Sequence, residues 1–116
     1  MKRLSLNPPL SRYRYMWLLV MFDLPVGTKP ERRAATKFRN WLLDEGYEMS
    51  QFSVYMRFCA AKEQADRRIR EISKNSPSKG QVHILSVTDK QFGDMVVFRA
   101  GERRKNRGVP EQLALF

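Results

Sequence analysis

An α+β sandwich is the fold class predicted by three features of the sequence. An unbroken apolar run, Met16-Trp17-Leu18-Leu19-Val20-Met21-Phe22, has the composition of a strand buried on both faces. Two stretches studded with arginine, one ending near residue 45 and one over about 61–74, carry apolar residues at helical spacing. Between and after them lie short segments of strand character, one with clear alternation of apolar and polar residues. In chain order this gives strand, helix, strand, strand, helix, strand and one extra C-terminal strand. That βαββαβ order is the ferredoxin-like split β-α-β sandwich. Helices cover only one face of such a sheet. The other face must be hidden or polar, and a homodimer is expected to hide it.

Residues 1–15 are polar and basic, with Pro8-Pro9 ahead of Arg12, Tyr13, Arg14 and Tyr15, and read as an extended arm. Alternating Arg and Tyr suit phosphate contact and stacking, although a solvated arm fits nearly as well. The first strand runs over about 16–23. Thr28-Lys29-Pro30-Glu31 is a capping-box signature with proline in the first turn, so a helix begins there; it ends at Gly46. Ala35, Phe38 and Leu42 form its core stripe, with Ala34 and Trp41 beside it. Residues 47–51 read as a short strand and 53–58 as the next. In the latter Val54, Met56 and Phe58 share one face, and Ser53, Tyr55 and Arg57 the other. An arginine on that second face predicts that it meets water or an interface. Ala61, Ala65, Ile69 and Ile72 mark the second helix, and 75–80 is a turn. Strands follow over 81–88 and 95–99. The organisation is thus an arm at 1–15, one domain over 16–100, and a basic linker with a C-terminal strand or tail over 101–116.

At 116 residues there is room for one compact domain. Lys and Arg number 22 against 12 Asp and Glu, a net charge of +10 with a pI near 10.3. That balance points to nucleic acid, although ribosomal-type proteins and binders of anionic membranes share it. No apolar run reaches the ~20 residues of a membrane span, so no membrane association is expected. Cys59 is the lone cysteine and His83 the lone histidine. Intramolecular disulfides and Cys/His zinc sites within one chain are therefore excluded. A cytoplasmic setting is expected, and no nucleophile elbow accompanies His83. Cys59 reads as a small buried hydrophobe, and His83 as a mid-strand core or surface residue.

Asp23 closes the apolar run in Met21-Phe22-Asp23-Leu24-Pro25. A carboxylate at the rim of a sheet, followed by a helix rich in arginine, suggests a metal or phosphate site on a nucleic-acid-binding surface. The simpler reading is a strand-end aspartate that caps a turn.

A wider set of residues resembles a known family. Val20-Met21-Phe22-Asp23-Leu24-Pro25, Arg32-Arg33-Ala34-Ala35-Thr36-Lys37-Phe38-Arg39, Gly46-Tyr47, Met49-Ser50-Gln51-Phe52-Ser53-Val54-Tyr55-Met56-Arg57 and Val87-Thr88-Asp89-Lys90-Gln91-Phe92-Gly93 are similar to the small CRISPR-associated adaptation nuclease, the second of the two near-universal Cas proteins. The segments at 53–55 and 88–92 look most like its type II branch. The resemblance covers about residues 16–100. It implies a ferredoxin-like homodimer in which Asp23 of each copy holds one Mg²⁺ (or Mn²⁺) and serves phosphodiester hydrolysis on RNA or double-stranded DNA. It also implies a role in spacer acquisition, with the dimer bound to duplex DNA and bridging dimers of the integrase partner.

The candidate phosphate contacts are Arg12, Arg14, Lys29, Arg32, Arg33, Lys37 and Arg39, joined by Arg67, Arg68 and Arg70 of the second helix. No base-reading element is evident, so sequence-independent binding is expected. Gln112-Leu113-Ala114-Leu115-Phe116 is similar to the pentapeptide by which bacterial proteins dock on the replicative sliding clamp. A strand that pairs with a neighbouring subunit or the integrase explains it more simply. Two other functions stay open: a toxin-like endoribonuclease, and a non-catalytic RNA-binding module. The latter lacks a run of stacking aromatics, since Tyr55 stands without obvious partners.

Overall fold

A computed structural model describes residues 14–104. The arm through residue 13, with Arg12, and the chain from residue 105, with the pentapeptide at 112–116, lie outside the described residues. The elements are β1 (Met16–Asp23), α1 (Lys29–Asp44), β2 (Glu48–Gln51), β3 (Val54–Cys59), α2 (Lys62–Asn75), β4 (Gln81–Thr88), α3 (Asp89–Gly93), β5 (Val97–Arg99) and β6 (Glu102–Arg104). β1 is central in a four-stranded sheet of order β2-β3-β1-β4, and every neighbouring pair is antiparallel. β3 thus lies between β1 and β2, the two strands joined through α1, which is the expected split β-α-β arrangement.

Local sequence fixes both ends of α1. The Thr28 hydroxyl accepts from the Glu31 amide at 3.3 Å and the Glu31 carboxylate accepts from the Thr28 amide at 3.0 Å. At the other end Gly46 turns the chain with φ 90°, and the Tyr47 amide donates back to the Leu42 carbonyl. The buried stripe of α1, Phe38 and Leu42, packs on Leu18 and Val20 of β1 and Tyr55 of β3. Ala65 and Ile72 of α2 complete the core with Cys59. Burying each large side chain of this set stabilises the fold by about 1.5–3 kcal/mol.

The face of β3 that carries Arg57 is this core face, and the expectation of water or an interface there is corrected. Tyr55 lies opposite Val20 and Arg57 opposite Leu18, so both side chains point toward the helices. Tyr55 is fully buried. Arg57 is half-buried because its Nε donates to the Glu45 carbonyl at 2.9 Å and its Nη1 to the Phe58 carbonyl at 2.7 Å. At the C-terminal end of α1 the cation meets the Glu45 carbonyl, one of the last carbonyls, which have no partner within a helix.

The opposite face of the sheet carries Leu19 and Met21 of β1, Val54 and Met56 of β3, and Leu85 of β4, which is 51% exposed. Its end nearest the start of β1 is covered by α3, a helix that the sequence reading passes over as a connection. Thr88 and Gln91 form a second capping box. Phe92 stacks on the Trp17 ring at 4.1 Å, and the Trp17 indole donates to the buried Asp89 carboxylate at 2.8 Å. The extra C-terminal strand pairs not with the main sheet but with β6, the start of the stretch read as a linker. Ala100 (φ 52°) and Gly101 (φ 83°) make the two-residue turn that right-twisted hairpins favour.

Candidate nucleic-acid site

Asp23 sits at the end of the central strand, opposite Gln81, with its side chain exposed on the face of Leu19 and Met21. Two backbone features hold it there. Gly80 has φ 88°, and a Cβ at that position would lie 2.5 Å from the Asp23 carbonyl oxygen. Only glycine lets the α2–β4 turn approach β1 so closely. On the other side the Ser53 carbonyl accepts from the Phe22 amide at 3.0 Å, with Ser53 itself in the left-handed region at φ 63°. The strand end is therefore clamped between two tight turns.

Asp23, Gln81, His83, Ser53 and Phe52 line one groove of about 360 Å³. His83 is exposed, and its Nε2 lies 3.1 Å from the Gln81 side-chain oxygen. Sequence reasoning missed this neighbour of Asp23. The signal was available, because an antiparallel β4 beside β1 must set its first residues against the last residues of β1.

Among the described residues no group of three or more His, Cys, Asp and Glu is placed to hold a metal ion. The groove at the end of β1 offers one carboxylate, that of Asp23. A magnesium ion keeps several waters and takes one or two carboxylates, so Asp23 fits as half of such a ligand set. A second copy of the chain would supply the other half. Cys59 takes no part in chemistry: it is fully buried, and burial pushes its thiol up from the ordinary value, which suppresses the thiolate.

The cations gather elsewhere. Lys29, Arg32, Arg33 and Lys37 line a broad groove of about 860 Å³ on the outer face of α1, with Trp41 at its base. Arg32 is anchored to the Val26 carbonyl at 3.1 Å. Arg39 lies on another side of α1, lining a second groove of about 480 Å³ with Leu43, Met49 and Phe52. Arg14, Arg67 and Arg70 are exposed. Arg68 is not a surface phosphate contact, because it is drawn in against Glu45 (3.4 Å) and Glu71 (3.7 Å). Asp23 makes no ion pair among the described residues. The picture of one carboxylate facing the helix cations is thus corrected. α1 packs on one face of the sheet, and the Asp23 side chain leaves from the other.

Fold and site together define a small basic ferredoxin-like protein with a strand-end carboxylate and a separate cationic helix face. The chain belongs to the family of CRISPR associated protein Cas2, whose model matches residues 16–95. It is 50% identical over 107 residues to a protein of Paracidovorax avenae, a match covering 92% of this chain and 99% of that one. It is 43% identical over 107 residues to a protein of Flavobacterium psychrophilum, covering 92% and 93%. A protein of Parvibaculum lavamentivorans is 41% identical over 101 residues, covering 87% and 100%. All three are named CRISPR-associated endoribonuclease Cas2.

Proposed function

We propose that two copies of the chain join through their open sheet faces and act as a metal-dependent endonuclease on RNA, with Asp23 of each copy at the reacting phosphodiester. The observation that carries this reading is the placement of Asp23. It is exposed, clamped by Gly80 and Ser53, and set on the same side of the sheet as the uncovered apolar residues Leu19, Met21 and Leu85. Joining these faces hides the apolar surface and brings the two strand ends toward one axis. Two carboxylates so placed repel each other, and a cation between them relieves the repulsion. When bound, Mg²⁺ (or Mn²⁺) supplies a polarised water and charge stabilisation at the phosphate. The chain's part is to hold the two carboxylates rigidly and to keep the strand ends open to substrate. The names of the relatives support RNA as the substrate. Asp23→Asn tests the reading: Mg²⁺-dependent cleavage of a labelled RNA should vanish while RNA binding in EDTA stays within about twofold. Undiminished cleavage by the variant rules Asp23 out.

A second reading is favoured by the basic groove on α1. Four cations cluster there, on the opposite layer from Asp23. Phosphate contacts made at such a distance from the carboxylate suit a scaffold that lies along duplex DNA and bridges dimers of an integrase during spacer acquisition, inside the cytoplasm. Reversing Arg32 and Arg33 to Glu should then weaken duplex binding and lower its salt slope by about 2. Spacer acquisition that survives Asp23→Asn but not this reversal assigns the main work to the helix.

A further inference from the structure

The geometry points to a subsite for one unpaired nucleotide, with the Phe52 ring as its stacking platform and His83 as its polar contact. It rests on the reading of the Asp23 groove as a nucleic-acid site and adds to it the two side chains that would grip the strand.

Phe52 is the most exposed large apolar residue described, at 91%. A phenyl ring left in water forfeits the stabilisation that burial would bring. Flexibility does not account for its position, because the turn that carries it is pinned. Ser53 is held in the left-handed region, a conformation that side chains other than Gly and Asn rarely adopt. Its carbonyl is tied to the Phe22 amide at 3.0 Å. The backbone therefore projects the ring outward at a fixed place beside the end of β1. A preset aromatic surface loses little freedom when a flat partner settles on it.

The rest of the groove is polar. His83 uses one ring nitrogen on Gln81, at 3.1 Å, and its Nδ1 has no partner among the described residues. Asp23 stands across from Gln81 in the same groove. A single aromatic face next to imidazole, amide and carboxylate matches a nucleotide, which joins a flat base to a hydrogen-bonding sugar and phosphate. The net charge of +10 draws a polyanion toward it. A base inside a duplex already has both faces stacked, so only a base turned out of the helix or in a single strand can lie on Phe52. Phe52 also borders the apolar groove beneath Arg39. A protein seated there is the competing use of the ring.

The test measures binding of the full chain to a fluorescein-labelled oligouridine, and to a blunt DNA duplex of equal length, by anisotropy in EDTA. Phe52→Ala should weaken oligouridine binding about five- to hundredfold. Duplex binding should stay within about twofold, and the salt slope should not change, since no phosphate-neutralising charge is lost. Phe52→Trp should restore single-strand binding. His83→Ala should weaken it less than Phe52→Ala and again spare the duplex. Wild-type oligouridine affinity in Phe52→Ala overturns the subsite, as does an equal loss for both ligands. Unchanged binding of both with an altered sedimentation coefficient assigns the ring to a protein contact instead. Because these measurements exclude metal and cleavage, they fail or succeed separately from Asp23→Asn. Loss of cleavage in Asp23→Asn together with wild-type oligouridine binding in Phe52→Ala leaves the nuclease reading standing and removes this one.

Discussion

The buried polar groups of this chain divide into those that are answered and those that are not. Asp89 is fully buried, and the Trp17 indole donates to it at 2.8 Å. Replacing Trp17 by Phe keeps an aromatic ring under Phe92 but removes that donor. Because the acceptor is a carboxylate, we expect a loss of about 1.5–3 kcal/mol in urea denaturation. Asp89→Asn, which retains an oxygen acceptor, should cost less. Tyr47 is the reverse case. It is 3% exposed and its hydroxyl has no hydrogen-bond partner among the described residues. Tyr47→Phe is therefore expected to be neutral or stabilising at pH 7. Burial, with the coulombic effect of Cys59 next, pushes the Tyr47 hydroxyl up from 10.0 to about 12. A folded-state value above the unfolded one means that the folded chain holds its proton more tightly. The associated stability is complete below pH 10 and is lost as the pH rises through 12. Denaturation midpoints for wild type and Tyr47→Phe should keep a small, constant separation below pH 10 and diverge across the window, because only wild type loses stability there. Parallel curves across the window would remove Tyr47 from the alkaline transition.

Elements are set partly by signals inside them and partly by neighbours that no single element reveals. The capping box Thr28-Lys29-Pro30-Glu31 and the glycine at 46 bound α1 in the sequence as they do in the structure. Thr88-Asp89-Lys90-Gln91 carries the same signature, yet a five-residue helix has too few periodic positions to stand out, and α3 was hidden in a connection. The alternation of β3 was legible, but not which face met the helices. That depends on Leu18 lying beside Arg57, a long-range register that alternation alone does not contain. Asp23 was legible as a strand end, whereas its full groove was not, because Gln81 and His83 come from β4 and Phe52 and Ser53 from the β2–β3 turn, and only the long-range pairing of the strands sets them side by side. Gly80 joins the two levels. It belongs to a turn plain in the sequence, but its necessity comes from the Asp23 carbonyl against which it packs. Gly80→Ala places a methyl group at that carbonyl and an L-residue at φ 88°, which alone costs about 1–2 kcal/mol. We expect a thermal midpoint lower by several degrees and a larger loss of any Asp23-dependent cleavage than the stability change explains. Normal cleavage in a destabilised variant would show that the clamp serves the fold and not the site.

Charge and apolar surface pull the whole molecule in opposite directions. The open sheet face, with Leu19, Met21 and the half-exposed Leu85, favours association of two copies. Each copy brings a net charge of +10, so a pair carries twice that, +20, and repels itself at long range. Added salt screens this repulsion over a Debye length of about 10 Å at 0.1 M, while it weakens contacts to nucleic acid by counterion competition. Self-association is therefore expected to tighten with salt in sedimentation equilibrium, and duplex affinity to fall. Leu85→Lys places a cation in the centre of the apolar face without touching the α1 groove or Asp23. It should leave the fold intact and yield a monomer at all salt concentrations. If one duplex lies across both copies, the monomer makes about half the phosphate contacts, and its salt slope should be about half that of the wild type. A Leu85→Lys protein that still sediments as a pair would place the self-association surface away from the open face. A monomer whose slope equals that of the wild type would mean that each α1 groove holds a duplex on its own.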